Sequence, residues 1–267
     1  EEITGHLVFD IKLGENFRRK SRFCADGHKT KPSASVTYST VVARDSVRLI
    51  LLIAALNGLD VLGSDVQNAF LTAPNKEKCW IRAGPEFGDN KDKCYIVARA
   101  LYGLKSAGAS FRSFMAQQLD DMDFKPCPAD PDVWMRSAKK PDGEDYYEYV
   151  MTYVDDLIAV SHNPMGIMKE IETTFKFKGN KIEEPSSYLG ARLQKKNING
   201  WDCWTITSQD YVNAAVANVE KAIEGTKWKL PNKAATPMTS AYIPELDGTP
   251  ELDAKDTQYF QELIGML

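Results

Sequence analysis

The apolar periodicities along the chain predict an α+β fold with an antiparallel sheet. Two pairs of strand-like runs are sequence neighbours, Tyr146 to Val154 with Leu157 to Val160 and Tyr188 to Leu193 with Trp201 to Ile206, and each pair reads as a hairpin. Strands and helices are otherwise mixed in irregular order, without the βαβ alternation of a doubly wound sheet. The stretches G-x-G-x-x-G and G-x-x-x-x-G-K are both missing, so the phosphate-cradling loops of those folds are excluded.

The first clear helix runs from Asp45 to Gly58. Asp45 offers a cap, apolar residues cover most of the circumference and Gly58 terminates it, so the helix is expected to be largely buried. A strand follows from Val61 to Phe70, with Asp65 in its middle. Cys94 to Leu101 reads as another strand, and Ala107 to Asp121 has helical spacing that stops near the breakers Pro126, Pro128 and Pro131. In the first hairpin only Asp155-Asp156 lies between the two runs. Met165 to Phe177 then reads as a helix, and the second hairpin turns across Asn197-Ile198-Asn199-Gly200. Gln209 to Ile223 is amphipathic at helical spacing, and from Thr236-Pro237 onward a looser tail carries Pro244 and Pro250.

With 267 residues, 43% hydrophobic and 26% charged, the chain can bury a full core and is neither disordered nor fibrous. No period of roughly 20 to 50 residues repeats, which removes solenoids and propellers. The longest apolar stretch, Leu49 to Leu56, falls well short of the roughly 20 residues that cross a bilayer, so no membrane is expected. Glu1-Glu2-Ile3-Thr4 has neither an initiating Met nor a signal-peptide pattern, and reads as the start of a piece excised from something longer. Cys24, Cys79, Cys94, Cys127 and Cys203 are scattered and odd in number. They argue against a disulfide framework and a zinc site, and for a reducing, intracellular setting. His6, His28 and His162 stand alone and read as surface or packing residues.

A net charge of -4 speaks against a nucleic-acid partner, but averages hide patches. Between Lys12 and Lys31 seven basic residues (Lys12, Arg18, Arg19, Lys20, Arg22, Lys29, Lys31) face two acidic ones, Glu15 and Asp26. Such a run either grips phosphates or is simply a solvated face.

The acidic hairpin carries the chemistry. Two-residue turns favour Asn-Gly or Asp-Gly because positive φ is cheap there. Two carboxylates beside low-dielectric walls instead repel by roughly 4 kcal/mol at 4 Å and an effective dielectric of 20, a penalty that a divalent cation would remove. Oxygen ligands without His or Cys suit Mg²⁺. Asp65 is out of place in an apolar strand. Laid beside the hairpin, it would bring three carboxylates together, able to hold two metals for in-line phosphoryl transfer. Because side chains alternate along a strand, Asp65 and Asp155 are assigned as principal ligands and Asp156 as the supporting one.

Tyr153-Val154-Asp155-Asp156 between two β-runs resembles the reverse-transcriptase signature, and its surroundings resemble the copia-type long-terminal-repeat retrotransposon branch over nearly the whole chain. Lys20-Ser21-Arg22-Phe23-Cys24-Ala25-Asp26-Gly27-His28 is similar to that group's Lys-Ala-Arg-Leu-Val-Ala-x-Gly segment, and Thr37-Tyr38-Ser39-Thr40-Val41-Val42 to its Thr-Phe-Ser-Pro-Val-Val. Asp65-Val66-Gln67-Asn68-Ala69-Phe70-Leu71 is similar to its first catalytic block, Ala100-Leu101-Tyr102-Gly103-Leu104-Lys105 to its Ala-Leu-Tyr-Gly-Leu-Lys block, and Tyr188-Leu189-Gly190 to its Phe-Leu-Gly primer-grip turn. Five blocks in order are very specific.

The resemblance implies a right-hand polymerase: fingers over 1–44 and 73–106, palm over 45–72 and 107–207, and thumb with the start of a connection over 208–267. It implies an RNA-directed DNA polymerase, a nucleotidyltransferase. In it a primer 3′-OH activated by one Mg²⁺ attacks the α-phosphate of a dNTP while a second Mg²⁺, or Mn²⁺ in its place, stabilises leaving pyrophosphate. Asp65, Val66, Asp155 and Asp156 fall at the metals. Lys20 and Arg22 would face the triphosphate, Phe70 would be the aromatic steric gate against a ribose 2′-OH, and Tyr102 and Gly103 would shape the pocket floor. Tyr188, Leu189 and Gly190 would hold the primer end. Partners would be an RNA or DNA template, a primer and dNTPs, with RNase H, integrase and protease elsewhere in a Pol polyprotein. The setting would be a cytoplasmic virus-like particle, its DNA product bound for the nucleus.

The sequence departs from the branch at Ser106-Ala107-Gly108-Ala109, where Gln-Ser-Pro-Arg is common, and after Phe175-Lys176-Phe177-Lys178, where Asp-Leu-Gly is absent. Neither change removes a carboxylate. The rival readings are an inert relic fragment that at most binds nucleic acid, which the intact acids argue against, and a metal nuclease, which explains neither Phe70 nor the Leu-Tyr-Gly-Leu-Lys block.

Overall fold

Strand β1 (Glu2–Ile3) leads into a two-stranded antiparallel hairpin, β2 (Gly5–Lys12) and β3 (Arg18–Ala25). The computed structural model describes residues 1–12, 17–33, 35–226, 229–234, 246 and 248–266. They form two units, Glu1–Leu189 with Leu193–Thr205, and Gly190–Arg192 with Ile206–Leu267. In the β2–β3 ladder Val8 lies opposite Arg22 and Asp10 opposite Lys20. Residues two apart along a strand share a face, so Lys20 and Arg22 project together.

Helix α1 (Arg44–Asn57) begins one residue before the expected cap. Ala43 occupies the cap position, and Asp45 sits in the first turn, accepting a 2.9 Å hydrogen bond from Arg48. Gly58 ends the helix in the left-handed conformation, φ 60°, as its sequence position implied. Val47, Ile50, Leu51 and Ala54 are buried, but Leu49, Leu52 and Leu56 are exposed. The expectation of a largely buried helix is therefore corrected: a helix resting on one sheet face covers only one stripe of its circumference.

Strand β4 (Asp60–Asp65) is shorter than the expected Val61–Phe70 and ends on its acidic residue instead of holding it in the middle. Asn68 adopts φ 55°, which Asn tolerates better than most residues, and the chain then closes one helical turn, α2 (Ala69–Thr72), on which Phe70 sits. Strands β5 (Trp80–Arg82) and β6 (Cys94–Ile96) pair antiparallel, with β1 parallel to β5. The predicted strand to Leu101 stops at Ile96. Beyond it the backbone is satisfied irregularly, Val97 N–H donating to Cys79 and Ala100 N–H to Ala73.

Helix α3 (Ala107–Asp121) has the predicted bounds. After it come β7 (Lys125–Cys127) and β8 (Asp130–Lys139), which the cluster of prolines had concealed. Strands β9 (Asp145–Tyr153) and β10 (Asp156–Ser161) form the acidic hairpin. Together they build a five-stranded antiparallel sheet in the order β4-β10-β9-β8-β7. Leu157 and Ala159 join one core cluster with Phe111, Leu119, Ile167 and Met168, whereas Ile158 and Val160, also buried, alternate to the opposite face. α1 packs against β10. Covered on both faces, the central strands read as continuous apolar runs.

Helix α4 (Pro164–Glu172) is capped by Asn163, whose side chain accepts from the Gly166 N–H at 3.0 Å. It stops before the expected Phe177, so that Phe175 enters the core from the bend that follows the helix and Phe177 from extended backbone. Burying each adds about 2 to 3 kcal/mol. Strands β11 (Ser187–Tyr188), β12 (Ala191–Ile198) and β13 (Trp201–Thr207) form a three-stranded sheet. Asn199 and Gly200, at φ 52° and 87°, make the tight turn, two residues rather than the four expected.

In the second unit α5 (Gln209–Ile223) keeps the predicted bounds. α6 (Ala254–Met266), in the stretch expected to be loose, donates a hydrogen bond from the Tyr259 hydroxyl to Asn218 at 3.1 Å. Thr236-Pro237 and Pro244 lie outside the described residues.

Beneath the hairpin, Arg112 Nε donates to Asp132 Oδ1 at 2.7 Å, and the Asp132 side chain is only 3% exposed. Arg112→Met leaves that carboxylate buried without its cation. It is expected to lower stability by about 2 to 3 kcal/mol, below the roughly 3 to 5 kcal/mol of fully buried broken pairs because Arg112 is partly exposed. Urea unfolding of the two proteins measures the difference.

Candidate active site

Register places the acids. β4 runs antiparallel to β10 with Asp65 opposite Asp156, and β9 pairs with β10 so that Asp156 faces Tyr153. The turn is therefore Val154-Asp155, one residue earlier than expected, and Asp156 is the first residue of β10. Val154 is held at φ 54°, a conformation unfavourable for a β-branched side chain. Strain of this kind, about 1 to 3 kcal/mol, persists where surroundings over-determine it. Here the Val66 N–H donates to the Asp155 carbonyl at 2.7 Å, pinning the turn to the end of β4. Next to it the Gln67 N–H donates to the Lys176 carbonyl at 2.8 Å, which carries Lys178 alongside, its Nζ 3.3 Å from Asp65 Oδ2.

The electrostatics follow from this crowding. Burial raises the Asp155 carboxyl above the ordinary range, and the charge of Asp65 pushes the same way; the Asp155 backbone N–H, Lys178 and Lys20 oppose it. Asp156 is pushed up to about 6 by burial first, then by the charges of Asp155 and Asp65, with Lys178 again opposing. Lys178 is thus a cation shared by the whole acidic group.

Asp65, Asp155 and Lys178 line a cleft of about 580 Å³ whose other wall is β3, with Arg18, Lys20 and Arg22. Gln67, Asn68 and Tyr102 also line it. Of these Gln67 and Asn68 were quoted only as part of a motif; nothing in their residue types sets them apart. The Tyr102 ring carries the Arg22 guanidinium 5.9 Å above its centroid and has Phe70 against it at 5.1 Å. Phe70 is not among the lining residues. Gly103, φ 89°, lies where an added Cβ would run into the backbone at the end of β3, and the Ala25 N–H donates to the Tyr102 carbonyl at 2.7 Å. Tyr188 is buried, with its ring 6.3 Å from that of Tyr153, and Leu189 and Gly190 make a left-handed turn at φ 54° and 72°.

At the base of the β2–β3 hairpin Asp26 accepts from Lys29 Nζ at 2.8 Å and Thr4 Oγ1 at 2.6 Å, and its Oδ1 lies 2.7 Å from His6 Nδ1. His6 is thus an exposed residue, as expected, and also a partner of this carboxylate. Lys29, then Thr4 and His6, hold the Asp26 carboxyl well below its usual 3.8. A lowered folded-state value means that this stabilisation is complete above the unfolded value and is lost as pH falls below it. Asp26→Asn is expected to flatten the fall in melting temperature that the parent shows below about pH 4, which a thermal melt series across pH 3 to 6 reads directly.

Three carboxylates offer only hard oxygen donors, and their mutual repulsion asks for cationic charge, so the residue set suits Mg²⁺ or Mn²⁺. Among the described residues no group of three or more His, Cys, Asp or Glu side chains is drawn together tightly enough to hold a metal ion. The acids converge at one end of the sheet, and Lys178 is the cation beside Asp65.

The chain is thus an α+β protein whose antiparallel sheet brings carboxylates to the foot of a cation-walled cleft. The profile of the family described as reverse transcriptase (RNA-dependent DNA polymerase) matches residues 2–233, and the chain belongs to that family. It is 25% identical over 183 residues to the retrovirus-related Pol polyprotein from transposon RE1 of Arabidopsis thaliana, covering 67% of this chain and 12% of that protein. It is 28% identical over 183 residues to the transposon Ty1-NL2 Gag-Pol polyprotein of Saccharomyces cerevisiae, covering 65% and 9%, and 32% identical over 125 residues to the Ty1-DR4 Gag-Pol polyprotein of the same yeast, covering 43% and 7%. The chain thus spans about an eighth or less of these relatives, and the copia-type resemblance read from its motifs agrees with them. Among the described residues no helix is long and apolar enough to cross a membrane.

Proposed function

We propose that this chain is the polymerase part of a copia-type Pol polyprotein and extends a primer 3′-OH with dNTPs on an RNA template. The observation that carries the reading is the meeting of Asp65 and Asp155, far apart in sequence, at the foot of a cleft walled by Lys20 and Arg22. In this reading residues 1–44 and 73–106 are fingers, 45–72 and 107–207 palm, and 208–267 thumb with the start of a connection.

Asp65, Val66, Asp155 and Asp156 would hold the divalent cations. Such ions supply charge neutralisation and a more acidic primer hydroxyl. The residues of the chain do the rest. Lys20 and Arg22 bind the triphosphate, where fixed cations favour the charge that develops as the phosphoryl group transfers. Lys178, already paired with Asp65, moderates the repulsion among the acids. Phe70 and Tyr102 form an aromatic wall beside the acids, and Tyr188, packed against the catalytic hairpin, orients the primer-end turn at Leu189 and Gly190. Base choice comes from pairing with the template, so no side chain need read a base edge. RNase H, protease and integrase activities would lie in other parts of the polyprotein, working together in a cytoplasmic particle.

Incubation of the chain with poly-rA, oligo-dT, dTTP and Mg²⁺ is expected to lengthen the primer. Absence of extension across a range of Mg²⁺ and Mn²⁺ concentrations overturns the reading.

A further inference from the structure

Resting on the polymerase reading, we infer that a small cavity beneath the acidic hairpin is a built site for one water molecule, and that Asp132 and Thr40, which hold that water, are positioning residues for the turn that carries Asp155. The cavity measures about 20 Å³ and is lined by Thr40, Arg112, Asp132, Thr152 and Val154, with Phe111 and Trp134 among its apolar walls. A water needs roughly 10 to 15 Å³, so the space takes one. The Asp132 side chain is 3% exposed and uses one of its two oxygens: Oδ1 accepts from Arg112 Nε at 2.7 Å, whereas Oδ2 is buried with no hydrogen-bond partner among the described residues. Thr40 Oγ1 is buried and unpartnered in the same way. Thr152 Oγ1 is only loosely engaged, 3.4 Å from the Asp132 carbonyl and 3.5 Å from its Oδ1.

A buried carboxylate oxygen left unpaired is costly, and a buried water meets such groups with about three hydrogen bonds. One molecule in this space donates to Asp132 Oδ2 and bonds the Thr40 and Thr152 hydroxyls. A cation is not called for, because the Arg112 guanidinium already faces the Asp132 charge. The surroundings hold the site in shape. Asp130 accepts from the Asp132 N–H at 3.1 Å and from the Ala43 N–H at 2.9 Å, tying β8 to the start of α1. The Val42 N–H donates to the Thr152 carbonyl at 3.4 Å, so residues 40–43 also meet β9. Thr152 stands two residues before Val154, whose left-handed backbone, φ 54°, sets the direction of Asp155. The Val66 N–H pins the turn from β4, and the water bridge pins it from beneath. Without the bridge the strained Val154 relaxes and Asp155 shifts, which slows the reaction although no residue that meets substrate has changed.

The test pairs diffraction with single-turnover extension. A crystal structure of the parent is expected to show one water within hydrogen-bond distance of both Asp132 Oδ2 and Thr40 Oγ1; a dry cavity, or a water that does not bridge these two atoms, overturns the inference. Rates are measured on poly-rA/oligo-dT across dTTP concentrations in the parent, Thr40→Val, Thr40→Ser, Asp132→Asn and the Thr40→Val/Asp132→Asn double variant. The single-turnover rate at saturating dTTP is independent of the fraction of enzyme that is active, so a loosened variant still reports. Thr40→Val keeps the shape and removes the hydroxyl. It is expected to lower that rate roughly tenfold while half-saturating dTTP stays within about twofold. Thr40→Ser restores the bridge and is expected to stay within about twofold of the parent rate. Asp132→Asn is expected to slow the same step, and the double variant to be no slower than the slower single, because both cut one bridge. A merely structural cavity lowers the melting temperature and leaves the saturating rate alone. The parent rate in Thr40→Val, or single losses that multiply in the double variant, overturns the positioning role and leaves the polymerase reading standing. A parent chain that extends no primer removes that reading and the positioning role with it, and diffraction then decides the water site by itself.

Discussion

Asp155→Asn is expected to lower primer extension by about 10³-fold or more, the equivalent of roughly 4 kcal/mol of transition-state stabilisation, while leaving the protein folded. The side chain keeps its shape and loses only charge, and that charge is unfavourable to the fold. Burial and the nearby Asp65 raise the Asp155 carboxyl, so the ionised form is held against its preference. The melting temperature of the variant should accordingly equal or exceed that of the parent at neutral pH, a separation of activity from stability typical of functional charge clusters. Asp65→Asn should show the same loss of activity. Its thermal behaviour should differ, because Asp65 is paired with Lys178 at 3.3 Å and removing its charge takes that ion pair away. Single-turnover extension and a thermal melt on each variant check both halves, and extension by Asp155→Asn within tenfold of the parent removes Asp155 from the catalytic group.

How much of this was legible in the sequence depended on whether a residue's role is local. Two acids between apolar runs have few explanations, so the hairpin was readable from Tyr146 to Val160. The turn itself was misplaced by one residue because Asp is the more ordinary turn former, whereas Val154 takes the left-handed region in a turn tied to β4 by the hydrogen bond from Val66 to the Asp155 carbonyl. β4 was over-extended for a related reason: nothing between Val66 and Phe70 breaks a strand by composition, and it is Asn68 at φ 55° and the segment through Lys176 that end the ladder. Helices α3 and α5 were bounded correctly because their spacing and flanks agree. α1 was judged too buried, since the number of neighbours around a helix is a tertiary fact. β8 was hidden by Pro131, which a strand accommodates near its first residue. The cleft was the least readable feature. Basic residues around Lys20 and Arg22 could be counted, but the pairing that turns them to one side, and the ring of Tyr102 beneath Arg22, come from contacts between distant segments.

The same distant contact supports the second large expected effect, at Gly103. A Cβ placed there would lie 2.0 Å from the carbonyl oxygen of Ala25, and one placed at Gly27 would lie 2.0 Å from the carbonyl oxygen of Gly103. Both obstacles are backbone, which cannot rotate aside as a side chain can. Gly103 also sits at φ 89°, where any L side chain is strained. Gly103→Ala therefore combines overpacking with an unfavourable backbone and is expected to cost about 3 to 5 kcal/mol. Relief requires the end of β3 to withdraw from the 102–103 turn. That withdrawal breaks the 2.7 Å hydrogen bond from the Ala25 N–H to the Tyr102 carbonyl and lifts Arg22 from the Tyr102 ring. The variant should thus lose nucleotide affinity as well as stability, and amide exchange at Ala25 should accelerate. Gly27→Ala disrupts the same contact from the other side, so the paired substitution should cost much less than the sum of the two singles. Additive losses, or exchange at Ala25 unchanged in Gly103→Ala, would mean that the hairpin is held to the sheet by something other than this glycine contact.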